Sequence, residues 1–424
     1  MKSHPISRLI ILASISFALT MATNTLEPSV FGHKILQLAP ENPNTALGLI
    51  TFISSLVIIV LPPIVGALSD RTQSRWGQRI PYFIIGSIFL VISLFLIATS
   101  RSVKMLLTSV VIFQIAFSVI VNPWQAQYPD LVSFKQRGTA AGIRGLADVL
   151  GLIIGRKFGG DFVSQFDIVG DVAIRNAVII PVIAIILAVS LTIIYLRNLR
   201  GNSSSSDHEY SKIDWKKLYF VNLKSHPAFG WWFANRFLYW AAFTILSTFL
   251  LFFAIDVIGL PESNAQKYLG NLALFLGGGI LIITIPAGWF ADKYGRKPLV
   301  VISGIMAAIG SLLILFIRDL NLLSVAGLII GAASGIFVTS NFALISDIVP
   351  SKEAGRYMGV AGIAGASGSA MARLIGGLVV DPINAYYASN SLGYLIMYAL
   401  AAVLFLLSAM VATRIPIHKI DNSN

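Results

Sequence analysis

Apolar residues run through this sequence in long blocks, and polar residues are confined to the gaps between them. A hydrocarbon core is crossed by ~20 mostly apolar residues in helical form. About twelve blocks meet that rule. The first six lie near Leu9–Phe31, Ala46–Leu68, Ile80–Thr99, Val103–Tyr128, Thr139–Gly160 and Val172–Leu196. The second six lie near Pro227–Ile255, Tyr268–Ala291, Pro298–Ile317, Leu320–Ile345, Ala354–Val380 and Ser391–Thr413. None alternates as a barrel strand would, and lipid offers no partner to an open backbone, so each block is predicted to be a helix. The expected fold is an all-α membrane protein with twelve transmembrane helices in two six-helix bundles.

The gaps divide and orient the chain. Between the sixth and seventh blocks lies "RNLRGNSSSSDHEYSKIDWKKLYFVNLKSH", polar, Ser-rich and basic, which reads as a linker. The predicted organisation is an N-terminal bundle over 1–197, a cytoplasmic linker over 198–226 and a C-terminal bundle over 227–424. Lys and Arg concentrate in alternate gaps, so the positive-inside rule places both termini in the cytoplasm of a cell membrane. The basic start and long first apolar run read as a first span that is retained rather than a cleaved leader.

The two halves repeat. "GALSDRTQSRWGQRIP" follows the second block and "GWFADKYGRKP" follows the eighth. Gly66 thereby matches Gly288, and Asp70 matches Asp292. The bases that follow are Arg71, Arg75 and Arg79 in one gap, and Lys293, Arg296 and Lys297 in the other. "NPWQAQYPDLVSFKQRG" and "TSNFALISDIVPSKEAGR" pair Asp130 with Asp347 and Arg137 with Arg356. Arg156 and Arg373 each precede a Gly-Gly, which suggests close packing of the two halves. A duplicated six-helix half is a transporter signature, because two similar bundles can rock about a shared midplane site.

Composition narrows the chemistry. Hydrophobic residues are 56% and charged residues 12%, against ~25% charged in a soluble domain. The net charge of +12 is spread over membrane gaps, so no nucleic-acid partner is implied. The chain has no cysteine, and its five histidines (His4, His33, His208, His226 and His418) fall outside the predicted spans. No nucleophile–base pair or metal site can then be assembled at depth, so neither an enzyme nor a cofactor is expected.

The G-x-x-x-D-R gap with its trailing bases resembles the signature loop of the major facilitator superfamily. The longer "SDRTQSRWGQRIP", with "QYPDLVSFKQRGTAAG" and "HPAFGWWFANRFL", resembles the glycoside–pentoside–hexuronide and sucrose-type symporter branch. The resemblance implies helices 1, 4, 7 and 10 around a cavity, Asp70 against the start of helix 11, and Asp292 against the start of helix 5. Gly66, Asp70, Arg71, Arg79, Asp130, Arg137, Gly288, Asp292, Lys293, Arg296, Asp347 and Arg356 become candidate gating residues, with the arginines on these acids or on lipid phosphates. Two departures stand out. Gln125 occupies a place where sucrose-type proteins carry arginine, and the second block has no acid to hold a coupling cation.

Charges within spans are costly and are functional candidates. Arg144 and Asp148 lie four apart on one helix face. Either Asp148 takes up a proton and releases Arg144 for the substrate, or the two form a permanent pair. Glu27 is a second proton candidate, with Asn24 a turn away, or else it reaches the outer surface. Arg236 either snorkels to the surface or faces the cavity beside Tyr239 and Trp240. Arg156 and Arg373 are expected to bind Asp161 and Asp381. Asn122, Trp124, Gln125 and Asn341 offer amides and a flat aromatic face suited to sugar. The expected function is proton-coupled symport of a sugar or glycoside, and the alternative is proton-antiport efflux of drugs or metabolites.

Overall fold

The computed structural model describes residues 6–132, 136–200, 226–349 and 354–416, and among these residues it is nearly all helix with no strand. The N-terminal six helices are α1 (Ile6–Thr25), α2 (Pro43–Arg71), α3 (Ile80–Ala98), α4 (Val103–Leu131), α5 (Arg137–Val163) and α6 (Asp171–Arg200). The second six are α7 (Pro227–Thr248), α8 (Glu262–Tyr294), α9 (Arg296–Phe316), α10 (Leu320–Ile348), α11 (Ala354–Tyr386) and α12 (Leu392–Thr413). Eleven helices are long and apolar enough to cross a membrane, and α7 with its continuation Leu250–Asp256, bent by 43°, makes up to twelve. The expected linker falls mostly on residues 201–225, outside the described residues.

One helix departs from the simple blocks. α1 continues through Leu26–Val30 and Phe31–Leu38, with Glu27 extended at φ −103° and ψ 126°. The apolar pattern stops at Phe31 but the helix does not. His33 is therefore inside the membrane-length helix, not beyond it as the sequence suggested, and it is buried. Its Nδ1 lies 2.6 Å from Glu262 Oε1.

The described residues pack as two compact units. One combines Met1–Ile213 with Gly259–Ala273, and the other combines Asp214–Ile258 with Leu274–Asn424. The first turns of α8 thus group with the N-terminal helices. Within the units the same pairings recur: α1 on α5 and α6, α3 on α4 and α6, then α7 on α11 and α12, α9 on α10 and α12. The duplication read from the gaps is a duplication of packing.

Small residues make the tightest of these seams. On α5, Gly151, Gly155 and Gly159 face the α1 backbone at Phe17, Met21 and Thr25, and a methyl at Gly151 would lie 2.6 Å from the Phe17 carbonyl oxygen. On α11, Gly368 faces the Phe237 carbonyl of α7 and Gly376 the ring of Phe249, just past the end of α7. Without side chains between them, the helix axes draw together and dispersion contacts multiply. The expectation that the Gly-Gly pairs join the halves is corrected in part. Gly159 and Gly376 seal helices within a bundle, whereas Gly160 meets the Gln266 backbone at the start of α8.

Among the described residues nothing lies within 4 Å of a methyl placed at Gly66, and at Gly288 only Thr339 Cγ2, at 4.0 Å.

The seam is testable. Gly155→Val should drive its branched side chain into the Met21 carbonyl and cost about 1–3 kcal/mol, seen as a fall of a few degrees in melting temperature in detergent. Gly142→Ala on the same helix, with open space around it, should stay within about 0.5 kcal/mol.

Candidate functional site

In the N-terminal bundle a polar cluster forms where α1, α4 and α5 meet. Asp148 Oδ1 accepts hydrogen bonds from the hydroxyl of Ser16 and, at 3.1 Å, from that of Thr20. Arg144 Nε stands 3.8 Å from Asp148 Oδ2, with the two side chains 35% and 38% exposed, so neither is sealed in the packing. The Arg144 guanidinium also lies 4.6 Å over the Trp124 ring. Trp124 is buried and donates its indole N–H to the Leu12 carbonyl at 2.7 Å, which fixes the ring that carries the cation.

A turn further along the same seam, Asn24 donates to the Thr20 carbonyl at 2.9 Å and accepts from Arg156 Nε at 3.1 Å. Glu27 is the acid that interacts electrostatically with Arg156. The expected Arg156–Asp161 pair is replaced: Asp161 is held by Lys157 at 2.7 Å. The helix explains this, because 157 and 161 share a face at four-residue spacing and 156 and 161 do not.

The C-terminal bundle holds a different network. Asn235 is fully buried and donates to the Ser408 carbonyl at 2.9 Å and to its hydroxyl at 2.8 Å. Asn235 accepts from Asn341 Nδ2 at 2.9 Å, which turns Asn341 Oδ1 toward Arg236 Nη1, also at 2.9 Å. The Trp232 indole N–H donates to the Asn341 carbonyl at 3.0 Å, and Arg236 lies 5.5 Å over that ring. The Arg236 guanidinium has thus turned onto α10, and its Nε is buried.

The remaining candidates are scattered. Tyr239 is buried, stacked on Phe337 at 3.6 Å with its hydroxyl 3.4 Å from Ser334, inside the α7–α10 packing. Trp240 packs edge-on against Phe243, and its ring meets Gly365. Asn122 is satisfied by the Ser118 carbonyl of its own helix at 2.7 Å, and Gln125 is exposed.

Where α2 meets α3, Arg79 reaches Asp70 at 3.6 Å and the Pro123 carbonyl at 3.2 Å. Where α8 meets α9, Arg296 reaches Asp347 at 2.5 Å and the Ala343 carbonyl at 2.6 Å. Each arginine at a helix start thus clasps the end of the next helix but one in the sequence gap pattern, α4 or α10. Lys293 sits over Trp289 at 5.0 Å, and Arg71 ends α2. The side chains of Asp130, Arg137, Asp292 and Arg356 lie outside the described residues.

Sequence reasoning missed Ser16, Thr20, Asn235 and Ser408. The first two had a legible signal, since Ser16, Thr20 and Asn24 form a polar stripe at four-residue spacing on an apolar helix.

Among known proteins, the family model described as "MFS/sugar transport protein" matches residues 11–419. The minor myo-inositol transporter IolF of Bacillus subtilis is 31% identical over 129 residues, 30% of this chain and 28% of that protein. The sodium-dependent lysophosphatidylcholine symporter 1 of Gallus gallus is 26% identical over 368 residues, 74% of this chain and 65% of that one. The chain therefore spans less than two thirds of the length of these relatives. The nucleoside transporter NupG superposes with a TM-score of 0.70 at 14% identity, covering 96% of this chain and 98% of that one. A bacterial homolog of the lysosomal transporter Spinster, inward-facing and occupied, gives 0.71 at 16% identity, covering 97% of each chain. At such identities the likeness is one of fold.

The buried amide network predicts a stability effect. Asn235→Ala strands polar groups of Asn341 and Ser408 in the interior and should cost about 1–3 kcal/mol, read as a lowered melting temperature. Asn122→Ala, which removes a bond within one helix only, should lower it less.

Proposed function

The chain belongs to the MFS/sugar transport protein family of the major facilitator superfamily, and from that premise we propose that it imports a sugar or glycoside together with a proton across the cell membrane. The observation that carries it is the Asp148 carboxylate, held by two α1 hydroxyls and Arg144 while more than a third exposed.

The chemistry follows from charge balance. Ionised Asp148 attracts Arg144, and at a pair more than a third exposed that attraction is modest enough to be exchanged for a solute. A proton on Asp148 removes the attraction and turns an acceptor into a donor. Arg144 is then available to the hydroxyls of a solute, while Trp124 offers an apolar face to a pyranose ring. Solute departure returns Arg144 to the carboxylate and favours proton release. Binding of the two cargoes is thereby linked, as symport requires.

Asn24, Asn122, Gln125 and Asn341 supply further amides in this proposal, and Glu27 a second proton site. The clasps at Arg79 and Arg296, with Asp70, Asp347 and the matched residues of each gap, stiffen the cytoplasmic ends of the bundles. Rocking of two such bundles gives alternating access with no chemical change to the solute.

Proteoliposome uptake tests this. A panel of neutral sugars should accumulate only with an inward proton gradient. Asp148→Asn should bring the accumulation ratio to about one while solute exchange at equal concentration persists. An Asp148→Asn protein that still concentrates its solute would remove Asp148 from the coupling role.

A further inference from the structure

The two oxygens of Asp148 have different partners. Oδ1 accepts from the hydroxyls of Ser16 and Thr20. Oδ2 faces Arg144 Nε at 3.8 Å, beyond hydrogen-bond reach. Two donors occupy the lone pairs of Oδ1, and among the described residues no hydrogen bond reaches Oδ2. With 38% of the side chain exposed, a proton can arrive from solvent.

The hydroxyls have been turned toward the acid. Inside a helix, Ser and Thr commonly bond back to a carbonyl three or four residues earlier. Ser14 does so to Ile11 at 2.7 Å, and Thr23 to Leu19 at 3.2 Å and Thr20 at 3.0 Å. Four residues before Ser16 stands Leu12, whose carbonyl takes the Trp124 indole N–H at 2.7 Å. Ser16 reaches across the seam instead. The same buried ring carries the Arg144 guanidinium at 4.6 Å. Trp124 thus braces both sides of the carboxylate.

The internal repeat supplies a control. Arg79 and Arg296, Trp124 and Asn341, and Arg156 and Arg373 are each 217 positions apart. The seam glycines keep that register, Gly151 with Gly368 and Gly159 with Gly376. Asp148 then corresponds to Gly365, beside the Trp240 ring. The α7–α11 seam closes on its glycines with no acid at that position, so the packing does not require one.

We infer that Ser16 and Thr20 direct the coupling proton to Oδ2 of Asp148, the oxygen on the Arg144 side, and so act as positioning residues for symport. This rests on the coupling reading above and names the atom at which it operates. A proton from solvent forms one O–H bond at Oδ2 and converts the anion into a neutral acid. Oδ1 remains the carbonyl oxygen and keeps both hydroxyls. The new O–H stands toward a guanidinium, which has no lone pair to accept it. Arg144 loses its charge partner, meets a donor and moves away. A proton on Oδ1 would displace the α1 hydroxyls and leave Oδ2 against Arg144. Uptake would then disturb the seam and not release the cation.

Infrared difference spectroscopy on the full chain reads the oxygen directly. Acidification should produce a carboxylic C=O band that Asp148→Asn removes. Hydrogen bonds to a carbonyl oxygen lower its stretching frequency, so Ser16→Ala with Thr20→Val should shift that band upward. Each single variant should shift it part of the way, and Thr20→Ser, which keeps the hydroxyl, should leave it in place. In proteoliposomes the double variant should lose part of the sugar accumulation ratio while exchange at equal concentration persists. Size-exclusion profiles and melting temperatures show whether each variant folds. A band at one frequency in wild type and double variant overturns the inference and leaves Asp148 as the proton carrier. Full accumulation by the double variant also overturns it. Absence of any band that depends on Asp148 removes the coupling reading and the inference together. The upward shift with no uptake of any sugar supports the inference and counts against sugar as cargo.

Discussion

The contact between α1 and α5 governs the rest. Three glycines on α5, four residues apart, leave the α1 backbone with nothing but backbone to meet. Only at that separation can a serine hydroxyl, one of the shortest polar side chains, reach an aspartate on the neighbouring helix. The same approach lets Asn24 touch Arg156, and Thr25 donate to the Gly155 carbonyl at 3.1 Å. Any side chain inserted into the seam would separate these pairs and strand several polar groups in hydrocarbon. Packing and polar chemistry are therefore one constraint seen twice: the glycines set the distance and the polar stripe uses it.

The second bundle keeps the seam and discards the acid. Gly368 and Gly376 stand where Gly151 and Gly159 stand in the register of the repeat, and α11 lies on α7 as α5 lies on α1. What changed is the side chain presented across the seam. Asp148 balances Arg144 within the first bundle, and Gly365 leaves Arg236 to a chain of amides ending at Ser408. Amides can orient a guanidinium but cannot neutralise it. Duplication thus left two scaffolds of one design with opposite electrostatic character.

Much of this was legible in the sequence. The helices follow from apolar block length, because lipid permits few other backbones. The duplication follows from the matched gaps, and the Arg144–Asp148 pair from a spacing that holds in any helix. What stayed hidden depended on rotation and on long-range partners. Which face of α1 meets α5 decides whether Ser16 is glue or ligand to Asp148, and hydropathy barely constrains rotation in a helix that is apolar on most sides. Arg296 finds Asp347, 51 residues away, through the placement of α10 rather than through any local pattern. His33 escaped because a break at Glu27 carries the helix on after the apolar signal fades.

The repeat also separates mechanical residues from chemical ones. Residues that keep their identity across it, such as Arg79 with Arg296 and Gly151 with Gly368, clasp helix ends or close seams. Those are tasks that both halves must perform alike. Residues that change across it, Trp124 to Asn341 and Asp148 to Gly365, lie at depth and touch the two arginines or fill the space beside them. A cargo has no internal twofold symmetry, so the groups that contact it gain nothing by matching. Divergence between halves at positions of equal depth therefore marks where the side chains have specialised, and here it falls beside Arg144 in one bundle and beside Arg236 in the other.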